Sequence, residues 1–347
     1  MARIALVHDV AGVAAVQAGL LRSAGHEVDQ IELPVLGAGW KWPAKALALP
    51  FRLAAYLPAA NRIRTGHYDV VHIHWIANGV VGLFARRPFF VQAHGSDLHV
   101  NFGNPLYRSA SNMVLKKATK VFYVTPNLRA YLRHVDDKAV YLPNPVDMRG
   151  IGTPYPAPTQ VSNVLIFTRL HAVKGVDRIF PAVDRLKRGV DVTALEWGPL
   201  APGYVRQYRD RVRFVKPMVH ADIGPFLNGF DVVIGQMRQG ILSLMEIEGL
   251  ATGRPVITAI DWSLYPTDPP PVIAASTADE IAEAVEDLRS HPERLAEISR
   301  LGREWALRNH SFSHHLQLLE STYFGGAAPV APRGVPVPAV IVERHDK

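Results

Sequence analysis

Arg169 and Lys174 lie five positions apart in the stretch FTRLHAVKGVDRIF, residues 167–180. Arg169 falls at the end of an expected strand. Lys174 falls just ahead of an expected helix, with Gly175 easing the turn between them. Two cations on a loop that runs into a helix can clamp a diphosphate, and the helix N-terminus adds backbone N–H donors. The same residues would also suit an exposed loop carrying two solvated bases, so the context has to decide.

A second stretch, GILSLMEIEGLATGRPVI, begins at Gly240. Ser243 followed three residues later by Glu246 has the form of a capping box, which starts a helix at about Leu244 with amides free to meet an anion. Glu248 lies in the first two turns, where its carboxylate can accept bonds from ligand hydroxyls; taken alone, Glu246 and Glu248 would only favour the helix dipole. His94 opens His-Gly-Ser-Asp at the end of an expected strand, a good place for a functional imidazole. Asp97 serves equally well as a cap for the segment that follows. His72 and His74 share one strand face, but a metal site needs a third protein ligand and none is placed, so a structural or acceptor-lining role is expected and no metal.

The elements that carry these residues alternate strand and helix. Strands are expected at residues 3–8, 28–33, 70–75, 89–93, 120–124 and 139–142, and again at 164–168, 193–196, 212–215, 231–235, 256–259 and 272–275. Helices are expected at 13–24, 105–118, 176–187, 244–251, 278–290, 292–309 and 312–323. Such alternation gives parallel sheets covered on both faces. Residues 150–160, rich in proline and glycine, read as a linker, and residues 325–347 as a disordered tail. The expectation is therefore an α/β chain of two Rossmann-like parallel-sheet domains facing across a cleft, at 1–149 and 161–324. The special residues gather at the carboxyl ends of the strands, where such sheets bind ligands.

The chain has 347 residues, 48% of them hydrophobic, and a formal net charge of +7. That length suits two cores rather than one. With no cysteine, disulfides, thiolate chemistry and zinc fingers are excluded. No stretch approaches the roughly 20 apolar residues of a membrane span, and the first strand is too short for a secretory signal core, so a cytoplasmic protein is expected. Residues 1–160 hold 17 Lys/Arg against 9 Asp/Glu, whereas residues 161–347 hold 21 against 22. A one-signed half attracts anions. Within residues 40–64, Trp40, Trp42, Phe51 and Tyr56 interleave with Lys41, Lys45, Arg52, Arg62 and Arg64. This mixture suits either peripheral contact with an anionic membrane at its inner face or two core-covering helices broken at Pro50. Nucleic acid is not expected, because no recognised nucleic-acid signature is present. Neither G-x-G-x-x-G nor G-x4-G-K-[ST] occurs, which argues against a nicotinamide enzyme and a P-loop.

The ordered set T-R-L-x3-K-G-x-D from Thr168 and E-G-L-A-T-G-R-P-V-I from Glu248 resembles the retaining glycosyltransferases of family 4, which have the GT-B fold. The first half is similar too: A-G-V at Ala11, G-H-E-V at Gly25, D-V-V-H-I-H-W at Asp69, A-H-G-S-D at Ala93, V-T-P-N-L at Val124 and L-P-N-P-V-D at Leu142. The match runs in order from about Arg3 to Tyr323.

The resemblance implies a retaining hexosyl or other glycosyl transfer from a nucleotide-diphosphate sugar, without cofactor or metal; no Asp-x-Asp occurs to hold one. Arg169 and Lys174 would hold the diphosphate and act catalytically on the leaving group. Ser243, Leu244 and Glu248 would complete the donor site, with Glu248 on the ribose. His94 would reach the sugar and the reacting centre, and Gly12 would let backbone approach the phosphate or acceptor. His74 and Asp97 are acceptor-side candidates, and a lipid-linked or membrane-proximal acceptor is expected. One departure stands out. The first of the family's two glutamates falls on Gly240, with Gln236 or Gln239 as substitutes through hydrogen bonding. A nucleotide-sugar-binding pseudoenzyme or partner subunit, and an epimerase on the same fold, are the alternative readings.

Overall fold

The computed structural model describes residues 1–34, 50–99, 105–147 and 156–325. Most of the expected linker and the expected tail beyond Gly325 lie outside them, as do Trp40, Lys41, Trp42 and Lys45. All twelve expected strands form. In the first unit β1 (Arg3–Val7), β2 (Glu27–Ile31), β3 (Val70–His74), β4 (Phe90–Ala93), β5 (Val121–Tyr123) and β6 (Ala139–Tyr141) make one sheet in the order β2-β1-β3-β4-β5-β6. In the second, β7 (Asn163–Ile166), β8 (Asp191–Leu195), β9 (Val212–Val215), β10 (Val232–Ile234), β11 (Val256–Thr258) and β12 (Ile273–Ala274) are ordered β12-β11-β10-β7-β8-β9. Every pairing is parallel.

Parallel strands covered on both faces must be apolar on both. The second sheet shows how this works. Val164 and Ile166 of β7 enter one core with Val232 and Ile234 of β10, while Leu165, Phe167 and Val233 enter the other. The register Val232↔Val164 and Ile234↔Ile166 keeps like-facing residues side by side. The first sheet packs Ala5, Val7, Val71, Ile73, Val91 and Val121 into its own core.

Both sheets have a point where the chain order reverses. From β1 the chain goes to β2 on one side, and β3 lies on the other. Likewise β7 leads to β8 and β9, while β10 leads to β11 and β12 on the opposite side. The loops that follow the two central strands therefore part, leaving open the carboxyl-end position where such sheets take ligands.

The units divide between Pro143 and Asn144, and the chain rejoins the first unit at His315. The expected boundary at 149/150 and the expected second domain ending at 324 differ from this. The first difference follows from Asn144 O, 3.0 Å from His310 Nδ1, and from Val146 N–H, which donates to His310 O at 2.8 Å; the second follows from the polar contacts of the final helix, Phe312–Phe324. From it, His315 meets Gln17 at 3.1 Å, Glu320 meets His26 at 2.9 Å, and the Tyr323 hydroxyl meets His72 Nδ1 at 2.6 Å. Among the described residues no helix is long and apolar enough to cross a membrane.

Candidate functional site

In the second unit Arg169 stands three residues past β7 and is exposed, its guanidinium 5.4 Å from the centre of the Trp197 ring. Lys174 ends a short 3-10 turn, Ala172–Lys174, directly before the helix Val176–Val183. Gly175 between them has φ 73°, and a Cβ there would sit 3.0 Å from the Met237 backbone. Only glycine lets the loop after β7 press so closely on the loop after β10. The two loops are then tied together: Met237 N–H donates to Lys174 O at 2.8 Å, Arg178 to Met237 O at 2.9 Å, and Lys174 Nζ to Gln239 Oε1 at 2.6 Å. The loop after β7 thus faces the switch point between β7 and β10.

The electrostatics favour an anion there. Burial lowers the Lys174 pKa first; nearby Glu246 raises it, and Arg169 lowers it again by charge repulsion. A partly desolvated Lys174 with a second cation nearby gains from a bound polyanion. Glu246 itself is fully buried and occupied: its Oε1 accepts from Gln236 N–H at 2.7 Å, and its Oε2 from Ser243 N–H at 2.8 Å and from the Ser243 hydroxyl. The capping box therefore forms as expected and starts the helix Leu244–Ala251. The amides of its first turn, Leu244 included, have no acceptor four residues back inside the helix.

Glu248 is almost wholly buried, and its Oε1 lies 2.9 Å from Nε2 of His220, which is half-buried. His220, at the 3-10 turn His220–Asp222, carried no signal in the sequence, because nothing in its neighbours announces a partner 28 positions away. Gln236 corrects an expectation. It is fully buried and spends both ends of its amide on the loop: Oε1 takes the amides of Arg238 and Gln239, and Nε2 donates to Ile241 O at 2.8 Å and Ala259 O at 3.0 Å. It is not free to replace a missing glutamate. Gln239 is exposed and held by Lys174. Gly240 has φ 67°, and a Cβ there would meet the Asp261 Cβ at 3.1 Å. The backbone has adapted to glycine here.

In the first unit Gly12 caps the helix Val13–Ser23 with φ 78°, directly beyond β1, and Ala11 before it is also left-handed at φ 53°. Asp9, one of the special residues at the carboxyl end of the first strand, closes this turn by accepting the Ala14 amide at 2.9 Å. His94 follows β4 and is half-buried. Its Nε2 lies 3.0 Å from Nδ1 of His74, with ring centres 5.2 Å apart. Burial, helped by the neighbouring His8, holds its pKa down to about 3, so the ring is neutral at ordinary pH.

His74 and Asp97 differ from their expected acceptor-lining role. His74 ends β3 but is fully buried, stacked on His72 at 4.7 Å and in contact with His94. Asp97 is 1% exposed, and its carboxylate accepts the amides of Ile76, His94, Gly95 and Leu98. It builds the loop rather than facing a ligand. Among the described residues no group of three His, Asp or Glu side chains could hold a metal ion.

Two family models match the chain: Glycosyltransferase Family 4 over residues 11–149, and Glycosyl transferase-like over residues 178–321. The chain is a family 4-like glycosyltransferase with the GT-B fold. Among solved structures, the glycosyltransferase resembles a sucrose-phosphate synthase from Thermosynechococcus elongatus at 17% identity, TM-score 0.71, covering 93% of this chain and 98% of that one. It resembles HepE from Anabaena, in complex with UDP-glucose, at 15% identity and TM-score 0.69, covering 92% and 99%. A putative UDP-N-acetylglucosamine 2-epimerase from Listeria monocytogenes is also similar, at 12% identity and TM-score 0.63, covering 92% and 95%. Among curated protein sequences, none matches. At these identities the structural likeness speaks for the fold, and the two family models speak for glycosyl transfer.

Proposed function

We propose that this glycosyltransferase moves a sugar from a nucleotide-diphosphate sugar to an acceptor hydroxyl with retention of configuration. The observation that carries this reading is the placement of Arg169 and Lys174 on the loop after β7, at the β7/β10 switch point, with Lys174 held by Gln239 of the loop after β10. HepE, of similar fold, binds UDP and UDP-glucose, which supports a donor of that class here. In the transfer, the acceptor oxygen bonds to the anomeric carbon as the bond to the β-phosphate oxygen breaks. The electron pair leaves with the diphosphate, and the acceptor proton goes to a phosphate oxygen. Fixed cations stabilise the departing charge, so neither a metal nor a cofactor is needed. Glu248, oriented by His220, takes the ribose hydroxyls; Ser243 and Leu244 bring the helix N-terminus to the phosphates; Gly12 admits close backbone approach; and His94 serves the sugar.

The acceptor is proposed to be lipid-linked or membrane-proximal, reached from the inner face of an anionic membrane. In support, Phe51 and Leu57 are 74% and 54% exposed beside Arg52 and Arg62. Tyr56, expected among the interfacial aromatics, is buried instead, its hydroxyl donating to Asn78 Oδ1 at 3.2 Å and accepting from Arg52. Vesicle co-sedimentation tests this part: binding indifferent to anionic lipid removes it. The transfer itself is tested by incubating radiolabelled UDP-, GDP- and ADP-sugars with and without acceptor extracts. Label in a new product only with acceptor supports transfer. Conversion without acceptor means epimerisation, and binding with neither means a non-catalytic subunit.

A further inference from the structure

We propose that His74 is a positioning residue that donates its Nδ1 proton to His94 Nε2, so that His94 presents Nδ1–H outward as a hydrogen-bond donor. The contact that links the rings is the 3.0 Å approach of His74 Nδ1 to His94 Nε2. One of these nitrogens carries the proton, and the rest of the cluster decides which. His74 Nε2 is buried and has no hydrogen-bond partner among the described residues. A neutral imidazole holds one N–H. Were it on Nε2, a buried donor would be left orphaned, whereas a lone pair at that place is the more tolerable vacancy. The proton therefore belongs on Nδ1 and points at His94.

His94 must then accept at Nε2 and carry its own proton on Nδ1. That nitrogen makes no hydrogen bond among the described residues, while the backbone on either side is fixed by the Asp97 carboxylate through the His94 and Gly95 amides. The ring is held from behind by His74 and from below by its loop. His8, His72 and His315 also lie within electrostatic reach of this cluster. A second tautomer nearby is fixed by the same logic. His315 Nδ1 lies 2.8 Å from Pro143 O and so must donate to it, which leaves its Nε2 to accept from Gln17.

The consequence for chemistry is specific: His94 offers a neutral N–H to a sugar hydroxyl or phosphate oxygen and is not set up as a general base. What the N–H points at rests on the proposed function; the tautomer does not.

Long-range 1H–15N correlation spectra of the full chain with 15N-labelled histidine, at pH 7 and without ligand, read the tautomer directly, with His94 identified by its loss in His94→Ala. The expected result is a protonated Nδ1 and an unprotonated Nε2 on His94. In His74→Leu that preference disappears and kcat falls roughly 10²-fold, with the donor KM little changed. His74→Asn, whose amide nitrogen can take the place of Nδ1, restores both. A protonated Nε2 in the wild-type chain, or an unchanged tautomer in His74→Leu, overturns the proposal. A shifted tautomer with full turnover upholds the positioning role and removes His94 from the transfer. If His74→Leu does not fold by circular dichroism, the wild-type spectrum and His74→Asn decide.

Discussion

Lowering the pH from 7 to 5 loads protons onto the unfolded chain but not onto three folded-state histidines, the buried His72 and His310 and the half-buried His94. His72 and His94 in the first unit titrate at about 3, and His310 in the second at about 4, each held down chiefly by burial. Unfolded, all three titrate near 6.5. A group depressed in this way contributes its full share of stability above pH 6.5 and loses it as the pH falls toward the folded value, because the unfolded state alone gains the proton. Between pH 7 and 5 each costs about 2 kcal/mol. The first unit should therefore lose about 4 kcal/mol and the second about 2 kcal/mol from these groups. Both losses are large beside a typical total of about 5–15 kcal/mol. Since pH 5 is still above both folded values, the size of the effect depends only on the unfolded pKa. Guanidinium denaturation followed by tryptophan fluorescence and circular dichroism at both pH values measures it, and His72→Phe should reduce the pH slope of the first unit by one proton. Equal midpoints at pH 7 and pH 5 would refute the reasoning.

Three further outcomes are expected. Gly240→Glu, which restores the family's residue, should destabilise by about 1–2 kcal/mol because of its left-handed backbone and the Asp261 contact, lowering Tm by roughly 2–8 °C without raising turnover; higher activity at an unchanged Tm contradicts this. Asp97→Ala strips the side-chain acceptor from the amides of Ile76, His94 and Gly95 and should cost at least about 3 kcal/mol in denaturation. A normal midpoint with lost acceptor binding would return Asp97 to the acceptor site. His220→Ala should raise the donor KM by roughly ten-fold with a smaller effect on kcat, and an unchanged KM would detach Glu248 from the ribose.

The architecture was legible because parallel strands advertise themselves. Runs such as Val164–Ile166 and Val232–Ile234 are apolar without alternation, and each is followed by a helical period. The capping box at Ser243 and Glu246 was equally plain, since both partners lie within one turn. Long-range polar pairing was not. Gln236 and Gln239 look alike in sequence, yet one is consumed by loop amides and the other is free to meet Lys174. Asp97 and His74 carry the residue types of a site but are buried behind it. The final helix shows a helical period whichever sheet it covers; its assignment rests on Glu320, Tyr323 and His315 finding partners near the other end of the chain.

Calorimetric titration with the nucleotide sugar that binds the wild-type chain tests the diphosphate clamp most directly. Arg169→Ala and Lys174→Ala, each confirmed folded, should weaken its binding by roughly 10- to 100-fold, as expected when one charge-assisted bond is lost, and should leave the affinity for the phosphate-free nucleoside unchanged. Wild-type affinity for the nucleotide sugar in both variants would contradict the account.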